Sequence, residues 1–451
     1  MSRKLFGTDG VRGVANTPPM TPEIILRLGQ AATVYLTQQS PSRRGIVIGK
    51  DTRLSGYIFE TVLASGICSM GNNVYLAGPL PTSGVSFLTR KLHLDGGIVI
   101  SASHNPYYDN GIKFFKSDGF KLSDEAEEAI EKWMEGDLES RRVSSSQIGK
   151  AFRVNDAVGQ YVSFLKSTFP TGRDLKSLKV VIDCAHGAAY RVAPQVFEAL
   201  GATVIKMGVE PNGKNINEGS GALAPAGLAG RVVEEGAHVG IALDGDADRV
   251  VFVDEKGRVH EGDEVLMLCA LELQKKGELN HNTVVTTVMS NMGLELALTP
   301  HGIQVLRSCV GDRYLSNEMI RRGCNLGAES SGHFLFLDYN TTCDGIIAAL
   351  QVLAILTERQ KPLSELLSGF VRLPQVLTNV SVKTRCDFNE VIPIKQAIQF
   401  AQDRLAGKGR IFVRFSGTEP LVRILVEGER EEEIHAIAKE VADTFQKHLG
   451  G

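Results

Sequence analysis

Asp244, Asp246 and Asp248 alternate with Gly245 and Ala247, and Arg249 follows directly. The run lies between two apolar stretches, residues 239–243 and 250–253, that read as strands. Carboxylates at i, i+2 and i+4 converge only if the chain curves, and the two small residues between them allow that. Three hard oxygen ligands suit Mg²⁺, which keeps other positions for water and phosphate oxygens. An EF-hand loop would place Glu255 at its twelfth position, but Arg249 stands where its glycine must be and a strand follows, so that loop cannot form. A solvated acidic turn is the plain alternative. With no surplus of lysines nearby in the sequence, the triad repels itself unless a cation is bound, which favours the metal reading.

Ser101-Ala102-Ser103-His104-Asn105-Pro106 runs on through Asp109-Asn110-Gly111 to Lys113, after the strand-like Ile98-Val99-Ile100. Asn-Pro and Asn-Gly predict turns on either side of two tyrosines. A serine at the mouth of a strand is placed to act as a nucleophile, and His104 and Lys113 are the neighbouring candidates for proton transfer. A lysine beside arginines and a metal is expected to have its pKa lowered toward neutrality.

Arg414-Phe415-Ser416-Gly417-Thr418-Glu419-Pro420, with Arg423, reads either as a phosphate cradle of hydroxyls, backbone N–H groups and guanidinium forks or as an ordinary strand-to-helix turn. It is not a Walker loop. Glu329-Ser330-Ser331-Gly332-His333 groups a carboxylate, hydroxyls and an imidazole that suit a sugar, as would many polar loops. Gly7-Thr8-Asp9-Gly10-Val11-Arg12-Gly13 and Gly49-Lys50-Asp51-Thr52-Arg53 each put an arginine in a glycine-containing loop, for anion steering or for loop salt bridging. Together these loops describe phosphoryl transfer on a phosphorylated sugar.

Repeated βαβ grammar must position them. A helix after Thr21-Pro22, strands at 45–48 and 74–76 and a helix over 57–70 form the first unit. A helix-like run at 158–169, strands at 180–183 and 203–205 and a helix over 189–200 form the second, and strands at 284–285 and 305–306 mark a third. The last ~80 residues change to an α+β pattern, with strands near 380–382, 411–413 and 424–426 and helices over 391–405 and from about 431. The fold class is therefore α/β: three consecutive βαβ-type mixed-sheet domains and a smaller C-terminal α+β domain. The 451 residues exceed one compact core, and the net charge of −3 offers no field for nucleic acid or membranes. No apolar run reaches the ~20 residues of a membrane span. No signal-peptide stretch opens the chain, and seven scattered cysteines form no Cys-x-x-Cys pair, so a reduced cytoplasmic protein is expected.

Residues 6–13, 100–115, 244–249, 289–294, 310–314, 329–333 and 414–420 are, in order, similar to the motifs of the α-D-phosphohexomutase superfamily. The resemblance implies four domains in a heart shape around one cleft: residues 1–156 with a phosphoserine loop, 157–256 with a metal loop, 257–370 with a sugar loop and 371–451 with a phosphate loop. It implies that Ser103, which immediately precedes His-Asn-Pro, carries the phosphoryl group and donates it to give a bound 1,6-bisphosphate that turns over in the cleft. Ser103 phosphate, Asp244, Asp246 and Asp248 would bind Mg²⁺, and Arg12, Lys113 and Arg249 would assist transfer, with His104 beside them. Glu329, Ser331 and His333 would read the sugar, while Arg414, Ser416, Gly417, Thr418 and Arg423 hold the second phosphate. The resemblance is closest to the amino-sugar branch, which implies conversion of glucosamine 6-phosphate to glucosamine 1-phosphate for UDP-N-acetylglucosamine and cell-wall synthesis. A hexosamine 1,6-bisphosphate activator and a monomer or homodimer go with it. Mannose- and glucose-directed relatives carry Asn where Gly417 stands. Ala328-Glu329-Ser330 replaces the common Gly-Glu-Gln, Lys50 a common Arg, and Phe415 follows Arg414. Phosphomannomutase or phosphoglucomutase activity, a Mg²⁺-dependent sugar phosphatase and a non-catalytic sugar-phosphate binder are the rival readings.

Overall fold

Strand Gly96–Ile100, wholly buried, delivers the serine loop from the middle of a six-stranded sheet. The computed structural model describes residues 5–7, 9–39, 45–383, 386–405, 407–415 and 420–450; Thr8, Ser416, Gly417, Thr418 and Glu419 lie outside the described residues. In the first sheet Ala151–Arg153, Val74–Pro79, Ile46–Lys50 and Gly96–Ile100 run parallel, and Asp109–Lys116 and Val11–Val14 add antiparallel at one edge. Asn110-Gly111 is therefore not the expected turn but lies inside a strand. A Cβ on Gly111 would come within 2.6 Å of Ser101 O and 2.9 Å of Val11 O, so glycine is there for close strand packing. The turning is done by residues 103–108 instead.

The second sheet has the order Val259–His260, Val250–Asp254, Val239–Leu243, Lys179–Asp183, Thr203–Met207. The third has Gln304–Ser308, Thr283–Thr287, Leu326–Ala328, Phe334–Phe336. The fourth is antiparallel: Gln375–Ser381, Leu421–Gly428, Gly409–Phe415. The three mixed α/β sheets and the α+β end match the expected class. The helix expected over 189–200 begins only at Val192. Residues before it are held elsewhere: Ala185 and His186 take positive φ, and Ala188 N donates to Gly245 O (2.8 Å) beside the aspartates.

One continuous apolar core joins the first three units, from Val47 through Val180 and Val265 to Phe370, while the last has its own, from Val380 to Phe445. Polar contacts couple the last unit to the third: Arg410 donates to Ser290 O (2.6 Å) while paired with buried Glu427, and Met292 N donates to Glu427 Oε1 (3.4 Å). No helix among the described residues is long and apolar enough to cross a membrane.

Where the second unit hands over to the third, buried His260 lies between two carboxylates, Nε2 3.0 Å from Asp254 and Nδ1 2.6 Å from Glu264. Burial alone would lower the imidazole pKa, but hydrogen bonds to Glu264 and Asp254 outweigh it and raise it. The stabilisation is thus complete below the ordinary imidazole value and is lost as pH rises through the raised one. His260→Gln, which breaks the buried pair, is expected to destabilise by roughly 3 kcal/mol at pH 6. The gap to the parent protein should narrow as pH rises to 10. Denaturant unfolding across that range checks it, and a constant gap would mean the ring is uncharged.

Candidate active site

Ser103 sits at φ +51°, the left-handed region that a side chain rarely adopts. That costs about 1–2 kcal/mol and turns the hydroxyl toward the second unit, where Ser103 Oγ donates to Asp244 Oδ2 at 2.6 Å. His104 Nδ1 lies 3.2 Å from the same oxygen. Burial first, then Arg249 and Arg12, hold the His104 imidazole down at about 4, so it is neutral at pH 7. Arg12 reaches the same loop, with Nη1 3.4 Å from Asn105 Oδ1.

Asp244, Asp246 and Asp248 are all buried in the turn between Val239–Leu243 and Val250–Asp254, and Ala247 at φ +60° supplies the curvature expected there. Their ligand oxygens lie within 4.8 Å of one another, and Asp246 Oδ1 is buried with no hydrogen-bond partner. An all-carboxylate donor set with an unanswered lone pair fits a hard divalent cation. Burial, then Asp248 and Asp246, push Asp244 up to about 7, so a cation arriving here displaces protons.

Two expectations fail at this point. The triad is not without lysines: Lys113, remote in sequence, places Nζ 2.9 Å from Asp246, 3.2 Å from Asp248 and 3.0 Å from Asp9. Nor is its pKa lowered toward neutrality. Burial alone would lower it, but Asp246, Asp248 and Asp9 outweigh that and hold it well above its usual value. Lys113 is therefore a charged donor rather than a neutral base. Asp9 also bonds Lys121 (2.6 Å), which reaches Asp312 of the third unit at 2.6 Å.

Arg53 decides between the two readings of its loop in favour of salt bridging. It does not steer anions: it is fully buried, with Nε on Asp51 Oδ2 (2.8 Å) and its remaining donors on carbonyls of the serine loop. Lys50 is likewise occupied, 2.6 Å from Glu60 and over the Tyr57 ring.

The group expected to read the sugar is brought to the aspartate loop by a short β-bridge between Arg249 and His333. Gly332, at φ +92°, permits it, because a Cβ there would lie 2.3 Å from Val250 O. His333 Nε2 lies 3.2 Å from Asp248 Oδ1, and Ser331 Oγ 3.1 Å from His333 Nδ1. Against a burial penalty, Asp248 raises the ring to about 10. Arg249 Nε lies 3.2 Å from His333 Nε2. Glu329 accepts from Gly311 N (3.1 Å) and is nearly buried, its carboxyl held low despite that burial by His333.

Arg414 and Arg423 stand directly opposite one another across paired strands. Like charges in that position repel, and burial followed by Arg423 lowers the Arg414 guanidinium. Thr82 and Asn217 escaped the sequence reading. Thr82 Oγ1 donates to Asp246 Oδ2 at 2.6 Å, and Asn217 Nδ2 donates to Ser103 O at 2.9 Å. No local spacing marks them, since their partners lie 164 and 114 positions away.

Four family profiles match in succession. The α/β/α domains I, II and III of phosphoglucomutase/phosphomannomutase match residues 3–141, 159–257 and 261–373, and the C-terminal domain of the same family matches 377–444. The phosphoglucosamine mutase of Syntrophotalea carbinolica is 56% identical over 451 residues, covering 100% of this chain and 99% of that protein. That of Myxococcus xanthus is 53% identical over 449 residues, covering 99% and 98%. Among solved structures, a phosphoglucomutase/phosphomannomutase family protein of Burkholderia thailandensis superposes with a TM-score of 0.82 at 23% identity, covering 99% of this chain and 98% of that one. Aspergillus fumigatus N-acetylphosphoglucosamine mutase, solved with GlcNAc-6P and magnesium, gives 0.68 at 18% identity over 99% and 96%. A buried serine set against an aspartate triad, with this unbroken run of domains around it, means that the chain belongs to the phosphoglucomutase/phosphomannomutase family of phosphohexose-isomerising enzymes.

Proposed function

We propose that the chain interconverts glucosamine 6-phosphate and glucosamine 1-phosphate, with Ser103 as the phosphoryl carrier. The observation that carries the site assignment is the 2.6 Å bond from Ser103 Oγ to Asp244, which makes nucleophile and triad one site. The substrate assignment is supported by relatives of that activity at 52–56% identity along the whole chain. Phosphorylated Ser103 gives its phosphoryl group to the free sugar hydroxyl: the Ser103 O–P bond breaks and a sugar O–P bond forms. Neutral His104 takes the hydroxyl proton and returns it to the departing Ser103 Oγ, 3.2 Å from its Nδ1. The 1,6-bisphosphate then turns over, its other O–P bond breaks, and Ser103 is phosphorylated again, the Ser103 proton passing through His104 to the sugar oxygen that leaves. Lys113, Arg12 and Arg249 balance the charge of the transferring group, while Glu329, Ser331 and His333 hold the sugar. Arg414 and Arg423, with Ser416, Gly417 and Thr418, hold the phosphate that does not react. Asp244, Asp246, Asp248 and the Ser103 phosphate would hold Mg²⁺, which would supply neutralisation of the developing charge. In this reading the enzyme is cytoplasmic, monomeric or a homodimer, and is primed by glucosamine 1,6-bisphosphate.

Turnover of glucosamine, glucose and mannose 6-phosphates in a coupled assay tests it. The expected result is a kcat/KM for the amino sugar at least about tenfold above the others, one charged contact being enough for that ratio. Release of inorganic phosphate in place of the 1-phosphate would establish a phosphatase instead.

A further inference from the structure

Arg53 touches none of the reacting atoms, yet each of its five N–H donors has an acceptor. Nε serves Asp51, Nη1 serves Pro106 O and Asp109 O, and Nη2 serves Ser103 O (2.9 Å) and Asn105 O (2.8 Å). Asn217, from the second unit, donates to the same two carbonyls, Ser103 O at 2.9 Å and Asn105 O at 3.0 Å. On the other side of the residue, Ser103 N donates to Ser101 Oγ (2.9 Å), and Ser101 Oγ donates to Asp51 Oδ2 (2.6 Å), the oxygen that Arg53 Nε also holds.

We infer that Arg53, Asp51, Ser101 and Asn217 form a clamp that enforces the left-handed backbone of Ser103 and so aims its Oγ at the metal triad. The inference rests on Ser103 being the phosphoryl carrier. The N–H before Cα and the carbonyl after it are each pinned, and together they fix φ and ψ. Relaxation to negative φ would break one of the two attachments and swing Oγ from Asp244. Two carbonyls two residues apart share one pair of donors, which curls the chain between them. Gly245 closes the other side, since a Cβ there would lie 2.5 Å from Ser103 O. A lysine at position 53 could not replace the fork, having three donors from one point instead of five in a plane. These are positioning residues, so their loss should appear in the transfer step and not in sugar-phosphate binding.

The test compares Ser101→Ala, Ser101→Thr and Asn217→Ala in the full chain. Intact mass follows uptake of a phosphoryl group from a hexose 1,6-bisphosphate, and steady-state assays give kcat and KM. Ser101→Ala and Asn217→Ala are each expected to slow phosphoryl uptake and kcat at least tenfold, with KM within twofold. Ser101→Thr, which keeps the hydroxyl, should recover kcat to within threefold of the parent. Retention of kcat within threefold by either folded alanine variant, or a loss confined to KM, overturns the clamp. If Ser101→Ala does not fold, Asn217→Ala decides alone. A parent protein that takes up no phosphoryl group would instead refute the role of Ser103, which keeps the two failures apart.

Discussion

Ser103→Ala is expected to lower kcat by about 10⁴-fold or more, the scale on which losing a covalent nucleophile acts. The substitution removes the proposed phosphoryl carrier, and its structural cost is small. Ser103 Oγ has two neighbours, Asp244 and His104, and both keep other surroundings. Arg249 N still donates to Asp244 Oδ1 at 3.1 Å. Intact mass should show one added phosphate on a fraction of the parent protein and none on the variant. Phosphate persisting on the variant, or turnover above a hundredth of the parent's, would move the carrier to another residue.

Asp246→Asn is the second large effect expected. Its Oδ2 accepts from Thr82 (2.6 Å) and Lys113 (2.9 Å), and its Oδ1 has no partner. The amide has the same size but removes a negative ligand from a set that fits a divalent cation. Loss of several kcal/mol of charge stabilisation lowers kcat about 10³-fold. KM should stay within about threefold, because the arginine pair and the sugar loop are untouched. Calorimetric titration with Mg²⁺ is the independent readout: the parent protein should bind it and the variant should not. Normal turnover or unchanged Mg²⁺ binding would remove Asp246 from the metal set.

What the sequence made legible was whatever is coded locally. Alternating carboxylates separated by Gly245 and Ala247 announce a curved turn, and the turn is there. Short apolar runs announced the strands at Ile46–Lys50, Gly96–Ile100 and Val239–Leu243. What stayed hidden was set by contacts across long separations. Asn110-Gly111 has the composition of a turn, but the strands on both flanks require a residue without a side chain. Arg53 has the look of an anion binder, and its five acceptors are visible only once the serine loop has folded over it. Lys113 was expected to be a tuned base. The carboxylates that hold it charged come from Asp9 on one side and from Asp246 and Asp248 on another unit.

The joint between the first two units has a consequence for how such a chain can be divided. Ser103, the proposed phosphate carrier, belongs to one unit, and the aspartates that its hydroxyl faces belong to the next. Thr52 Oγ1 on His186 O (2.5 Å), Leu54 N on Gly213 O (2.9 Å) and Thr82 N on Asp246 O (3.0 Å) rivet the two together around the site. Neither unit is a catalytic module that could be inherited, transplanted or expressed alone. The smallest heritable piece of this chemistry is the seam, so an insertion that pries the two units apart would silence the enzyme while leaving every residue of both intact.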